Sequence, residues 1–151
     1  MRRMLTLVST AGLILMTGIG TAQTANDPIA TRKALMSSVG AAAGLGGGMM
    51  KGEIAYTPAA GKAAIAAMNA SAVAFGDYFP EGSDQGDTKA AAAIWSDPDG
   101  FMAEINKFAA ATGAAMEASG RPGPADIDAF KAAFGPVLAT CKSCHEGFRT
   151  R

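Results

Sequence analysis

The chain has 151 residues, of which 49% are hydrophobic and 17% are charged, and this length suits one domain. Its 13 basic side chains balance 13 acidic ones, so there is no basic surplus of the kind that nucleic-acid binding requires. Alanine is abundant and strand-forming residues are scarce, which favours an all-α fold.

Residues 1–22 have the pattern of a secretory signal peptide. Two arginines open the segment, an apolar stretch runs from Leu5 to Ile19, and small residues precede a cleavage point before Gln23. A transmembrane anchor is the rival interpretation, but the apolar stretch is shorter than the ~20 residues that span a bilayer. We therefore expect export, one domain over residues 23–151, and a mature protein without membrane attachment and with a formal charge of −2.

Four prolines each follow a helix-capping residue, and proline is favoured at the first position of a helix. The pairs are Asp27-Pro28, Thr57-Pro58, Asp97-Pro98 and Gly123-Pro124. They predict four helices, near residues 28–50, 58–78, 98–118 and 124–148. Apolar residues in the last three helices recur at steps of three and four, as in the seam of an antiparallel four-helix bundle. The longest connection, 79–97, must cross over the bundle or wrap around its outside.

Glycine and proline interrupt the ideal helix pattern at two places. Gly44 and Gly46 to Gly48 each weaken the end of the first helix by up to ~1 kcal/mol relative to alanine. They permit either the close approach of a neighbour or fraying, and the pattern leaves both open. Pro136 removes a backbone hydrogen bond from the fourth helix and should bend it just before the cysteine pair.

The pentapeptide Cys141-Lys142-Ser143-Cys144-His145 carries the chemistry of the chain. Cysteines at i and i+3 share one helix face and can reach the two vinyl groups on one porphyrin edge. The histidine that follows can bind the iron as proximal ligand, and C-x-x-C-H is the recognised sign of c-type haem attachment. The sequence therefore predicts one covalent haem c per chain.

Other uses of the two cysteines fit less well. A disulfide between them would enclose almost no chain and would add little stability. Structural zinc takes four ligands, whereas the pentapeptide already contains both cysteines and the single histidine of the chain. A thioredoxin-like redox pair belongs beside a βαβ pattern, and the sequence suggests no strand.

The position of the pentapeptide adds a constraint. Only residues 146–151 follow it, so the opposite face of the iron must be covered by an earlier helix. This excludes the arrangement in which the motif comes first and a methionine ligand lies downstream.

Four segments together resemble the class II c-type cytochromes, the cytochrome c′ and cytochrome c-556 group. They are the pentapeptide with Arg149 four residues after its histidine, Arg32-Lys33-Ala34-Leu35-Met36, Ala93-Ile94-Trp95-Ser96-Asp97, and Ala132-Ala133-Phe134-Gly135. The resemblance spans the whole of the predicted mature chain. It implies an antiparallel four-helix bundle with covalently bound haem, often a homodimer, in the bacterial periplasm.

The resemblance also implies roles for individual residues. Cys141 and Cys144 would be the thioether anchors and His145 the axial ligand. Met36 stands at the family's distal position, one helical turn after Arg32 and on the same face.

Four charged residues resemble contacts of the haem in this family. Arg32, with Lys33, resembles the basic contact to a haem propionate, and Arg149 resembles the basic residue beside the proximal histidine. Glu81 lies in the loop that approaches the haem edge. For each of them, an ordinary solvated side chain is the alternative.

Met36 determines which function the resemblance implies. If its sulfur binds iron, the haem is six-coordinate and low-spin, which suits electron transfer to and from redox partner proteins. If it only packs over the iron, the site is five-coordinate and high-spin, and it can bind nitric oxide or another diatomic gas. Packing in the core away from the haem is a third possibility.

Electron transfer by a periplasmic monohaem cytochrome is our leading hypothesis, with gas binding as the alternative. We do not expect an enzyme, because the sequence offers no acid–base constellation to accompany the haem.

Overall fold

The computed structural model describes residues 27–151, so the predicted signal peptide lies outside the described residues. Five helices make up most of this part: α1 (Pro28–Lys51), α2 (Pro58–Phe75), α3 (Ala93–Ser96), α4 (Pro98–Ser119) and α5 (Ile127–Phe148). A 3-10 turn, Gly76–Tyr78, extends α2. Over 27–151 there is no β-strand, only an isolated bridge between Ala90 and Arg149. The all-α prediction is confirmed.

None of the helices in the described part combines the length and the apolar character needed to cross a membrane.

Three of the four predicted helix starts are confirmed. Asp27, Thr57 and Asp97 each accept a hydrogen bond from a backbone N–H in the first turn of α1, α2 and α4, and a proline follows each of them. These caps satisfy donors that would otherwise lack a partner.

The predicted start of the last helix at Pro124 is wrong, because α5 begins at Ile127. Asp126 is its cap and accepts from Ala129 N at 2.8 Å. The physical reason lies at Gly123, whose φ of 95° is left-handed and whose Cα lies so close to the Pro58 carbonyl that a Cβ would clash with it. This contact holds the connection against the start of α2. The chain becomes helical only beyond the contact, at Ile127.

The four long helices pack in the order α1, α2, α4, α5. Contacts are extensive between α1 and α2, between α2 and α4, and between α4 and α5, whereas α1 contacts α5 over a much smaller area. Short connections make α1–α2 and α4–α5 antiparallel pairs, as predicted. Pro136 lies within α5, and the helix continues through it.

Two buried clusters form the core. The central cluster lies around Ile65, Met68, Phe130, Phe134 and Val137, none of which reaches solvent. The aromatic cluster lies around Phe75, Ile94, Phe101 and Ile105, with the rings of Phe79, Trp95 and Phe148 packed against it. The predicted seams of α2, α4 and α5 supply most of these side chains. Together the clusters fill the bundle along its length.

The glycine-rich end of α1 is a place of close approach. Gly46 lies against the ring of Phe134 on α5, and Gly48 lies against the side chain of Ile54, so that a Cβ at either position would clash. The helix does not fray there: it continues to Lys51 and ends at Gly52 in the left-handed conformation, with φ of 78°. Of the two possibilities left open by the sequence, close packing is the observed one.

The connection between α2 and α4 is fastened to α1 by Arg32. This side chain is 4% exposed. It donates to the Tyr78 carbonyl at 3.1 Å, to the Ser83 hydroxyl and carbonyl at 2.9 and 2.6 Å, and to the Thr88 hydroxyl at 2.7 Å. Its guanidinium also lies 4.8 Å from the centre of the Phe79 ring, a favourable cation–π distance. The connection therefore runs over the outside of the bundle, where the buried guanidinium of Arg32 holds it in place.

The end of the chain is fastened to the same connection. Thr150 N donates to the Lys89 carbonyl at 2.9 Å, and Ala91 N donates to the Phe148 carbonyl at 3.1 Å. The last turn of α5 is thus linked through residues 88–91 to Arg32 on α1.

We predict that Gly46→Ala lowers the stability of the folded protein while Gly44→Ala raises it. The added methyl at position 46 meets the Phe134 ring and costs about 1–3 kcal/mol of overpacking. Gly44 is exposed, and a Cβ added there would meet no atom within 4 Å. Alanine at this position should therefore stabilise the helix by up to about 1 kcal/mol through its higher helix propensity. Denaturant unfolding followed by circular dichroism measures both, and equal effects of the two substitutions would contradict the close approach.

We predict that Arg32→Met destabilises the protein by about 2–4 kcal/mol, because it leaves buried hydroxyl and carbonyl groups without their donor. Limited proteolysis should then cut within residues 79–92. Lys33→Met is the matched control: its ion pair with Asp87 is exposed, and such pairs add little. If both variants resist the protease equally well, Arg32 does not fasten the connection to α1.

Candidate haem site

The pentapeptide forms the last turns of α5. Cys141 and Cys144 are half-buried and are not joined in a disulfide. They continue the buried line of Phe134 and Val137 along α5, so they face the interior of the bundle. Both thiols lie on the same side of the helix, as attachment to one porphyrin edge requires.

The surroundings of the two thiols favour their protonated form. Burial raises the pKa of both, and the Glu104 carboxylate raises that of Cys144 further. Nucleophilic or redox cysteines need the opposite, an electropositive environment that stabilises the thiolate. The site is therefore suited to holding a bonded group rather than to thiolate chemistry.

His145 follows directly in the same turn and is exposed. Partial burial of the ring lowers its pKa, and the positive charge of Arg149 lowers it further. At neutral pH the imidazole is accordingly neutral, the form that binds a metal. Arg149, predicted to lie beside the proximal histidine, does contribute to its electrostatic surroundings.

The register of α1 against α5 brings Met36 level with Cys144. Gly46 on α1 touches Phe134 on α5, and the two helices run in opposite directions. Met36 is ten residues before Gly46, and Cys144 is ten residues after Phe134. At 1.5 Å per residue, both therefore lie about 15 Å from that contact and on the same side of it.

The environment of Met36 is apolar. The side chain is half-buried and packs against both the central cluster and the aromatic cluster. As a pair, α1 and α5 contact each other much less than the other neighbouring helices do. The contacts of Met36 are compatible with core packing, the third possibility for this residue, as well as with a position over a haem.

The donor set fits haem c. Two thiols and a neutral imidazole lie in consecutive turns of one helix, and a thioether lies level with them on the facing helix. No group of three or more histidine, cysteine, aspartate or glutamate residues that could hold a metal ion occurs in residues 27–151. A haem, with its iron held by the porphyrin, needs no such group from the protein.

Within residues 27–151, no hydrogen bond or ion pair joins the remaining charged residues predicted for the site to the pentapeptide. All four side-chain hydrogen bonds of Arg32 go to the connection described above. Lys33 is exposed, and its Nζ lies 2.5 Å from the Asp87 carboxylate. Glu81 is exposed and lines a surface cavity with Phe79 and Trp95.

Sequence reasoning missed one polar group at the site, formed by Glu104 and Lys107 on α4. The Ser143 hydroxyl, inside the pentapeptide, donates to Glu104 Oε2 at 2.6 Å. Lys107 Nζ donates to the same hydroxyl at 3.2 Å and lies 3.5 Å from Glu104 Oε1. The available signal was the i, i+3 charge pair beside the seam residue Ile105, but its partner depends on how α4 and α5 are aligned.

Comparison with known proteins agrees with this site. A family model described as cytochrome C′ matches residues 27–149. Cytochrome c′ of Rhodopseudomonas palustris is 35% identical over 148 residues, which is 97% of either chain. Cytochrome c-556 of Agrobacterium tumefaciens (strain II Chrys) is 32% identical over 120 residues, covering 80% of this chain and 94% of its own.

Solved structures show the same likeness in three dimensions. Cytochrome c′ from Rhodopseudomonas palustris superimposes with a TM-score of 0.73 at 36% identity, covering 83% of this chain and 97% of its own. A structural model of oxidised cytochrome c556 from the same organism gives a TM-score of 0.68 at 28% identity, with the same coverage. From the family model, the relatives and the pentapeptide at the end of α5, we conclude that the chain belongs to the cytochrome c′ family of class II c-type cytochromes, which bind haem c covalently.

Proposed function

We propose that the protein is a periplasmic electron carrier in which His145 and Met36 are the two axial ligands of the haem iron. The observation that carries this proposal is the register of α1 against α5, which brings Met36 level with Cys144. The haem, when bound, supplies a one-electron couple between ferric and ferrous iron. Electron transfer of this kind needs no catalytic residue.

The residues of α5 would hold the cofactor in a fixed place. Cys141 and Cys144 would form the thioethers, and the neutral imidazole of His145 would bind the iron. The central and aromatic clusters exclude water from the inner side of the site, and a low local polarity is one of the factors that set a haem potential.

Met36 is suited to the sixth position because its thioether is neutral and polarizable and lies among apolar groups. Histidine with methionine raises the reduction potential of a haem and favours the ferrous state. Arg32, one turn earlier on α1, fastens this part of the helix to the 78–88 segment. Such fastening would keep the position of Met36 similar in the two oxidation states.

Gas binding at a five-coordinate iron is the second candidate. Its supporting observation is the apolar packing around Met36, which would give a small uncharged diatomic such as nitric oxide a favourable environment if the sulfur did not bind. Relatives of both kinds match the chain, cytochromes c′ at 35% and 37% identity and cytochrome c-556 at 32%. The family relationship therefore supports either candidate.

The cellular setting is also part of the proposal. A signal peptide over residues 1–22 would deliver the chain to the periplasm, where redox partner proteins would exchange electrons with it. Assembly as a homodimer is what membership of the family implies.

We predict a low-spin absorption spectrum for the purified ferric protein, with the methionine-to-iron charge-transfer band in the red. Met36→Ala should abolish the band and produce a high-spin spectrum, because the sixth ligand is lost. Met116→Ala is the matched control: Met116 also packs against the central cluster, but it lies about three turns beyond the Glu104–Lys107 pair along α4.

Two outcomes would decide against electron transfer through Met36. One is a Met36→Ala spectrum identical to that of the unaltered protein. The other is a high-spin spectrum of the unaltered protein that changes at once on addition of nitric oxide or carbon monoxide, which would favour the gas-binding candidate.

A further inference from the structure

An acidic side chain of α4 is hydrogen-bonded to the haem-attachment segment itself. Ser143 stands between the two anchoring cysteines, and its hydroxyl donates to Glu104 Oε2 at 2.6 Å. Hydrogen bonds to a carboxylate are shorter and stronger than those between neutral groups. The contact holds the charge of Glu104 beside the place where the porphyrin edge is attached.

The charges of Glu104 and Lys107 are unequally sheltered. The Glu104 side chain is 21% exposed, whereas that of Lys107 is 54% exposed. Water and salt screen an exposed charge much more than a sheltered one. The pair therefore presents a net negative field to the interior, although its formal charges cancel.

The hydrogen bond places Glu104 beside the attachment segment. Ser143 is one residue from Cys144 and two from His145, so the carboxylate that it holds lies near the residues that would anchor and bind the haem. A fixed negative charge at this place favours any additional positive charge nearby.

We propose that Glu104 tunes the haem: its carboxylate, held by Ser143, stabilises the ferric form and lowers the reduction potential, and Lys107 partly offsets it. Reduction adds one electron from an external reductant to ferric iron, so the ferrous site carries one positive charge fewer. A fixed negative charge nearby therefore favours the oxidised side of the couple. The inference depends on covalent haem at the pentapeptide and not on whether Met36 binds iron.

Redox titration of the purified holoprotein with a chemical reductant and mediators tests the proposal. Glu104→Gln keeps an acceptor for Ser143 and removes the charge, and it should shift the reduction equilibrium toward ferrous by about threefold to tenfold, which is roughly 30–60 mV. Lys107→Met should shift it the opposite way by a smaller factor.

Glu117→Gln is the matched control. It removes the same charge from the same helix, but Glu117 is exposed and about 20 Å farther along α4. Its shift should be well below threefold. Added salt should reduce the effect of Lys107→Met more than that of Glu104→Gln, because Lys107 is the more exposed member of the pair.

The opposite signs separate tuning from a merely structural role, since two variants that only loosen the site would shift the equilibrium in one direction. Equal signs for Glu104→Gln and Lys107→Met, or a Glu104→Gln shift no larger than that of Glu117→Gln, would overturn the proposal. If Glu104→Gln does not fold, Lys107→Met still tests the proposal, because its reduction equilibrium should shift toward the ferric form. The absorption spectrum of each variant reports the axial ligands separately, so loss of Met36 as a ligand is not confused with a charge effect.

Discussion

Attachment of the haem to the last turns of α5 is the constraint on which the rest of the site depends. Under the proposed ligation, Met36 on α1 would lie over the face of the iron opposite His145. The character of the haem would then depend on how α1 is placed relative to α5.

Two contacts place α1. At one end, the Phe134 ring packs directly on Gly46, and this contact fixes the register of α1 against α5. At the other end, Arg32 fastens α1 to the 78–88 segment, which in turn is bonded to the end of the chain through Lys89 and Thr150. Met36 lies between these two contacts. Its position is thus set by packing on one side and by buried hydrogen bonds on the other.

Local signals predicted the parts of this architecture that depend on nearby residues. Capping side chains and prolines indicated three helix starts, and the 3-4 spacing of apolar residues indicated the buried seams. The pentapeptide indicated the cofactor, because covalent attachment needs thiols and an imidazole at a fixed spacing. The features that were missed depend on distant contacts: α5 begins three residues late because Gly123 packs on Pro58, and Glu104 meets Ser143 only through the alignment of α4 with α5. The partners of Arg32, 46 to 56 residues away in sequence, were beyond local reasoning for the same reason.

Iron K-edge X-ray absorption of the frozen holoprotein shows whether the Met36 sulfur binds the iron. We expect a sulfur scatterer at bonding distance together with five nitrogens, four from the porphyrin and one from His145, in both oxidation states. A first shell of five nitrogens without sulfur would contradict it. In that case Met36 only packs over the iron, and the protein belongs with the five-coordinate, gas-binding members of its family.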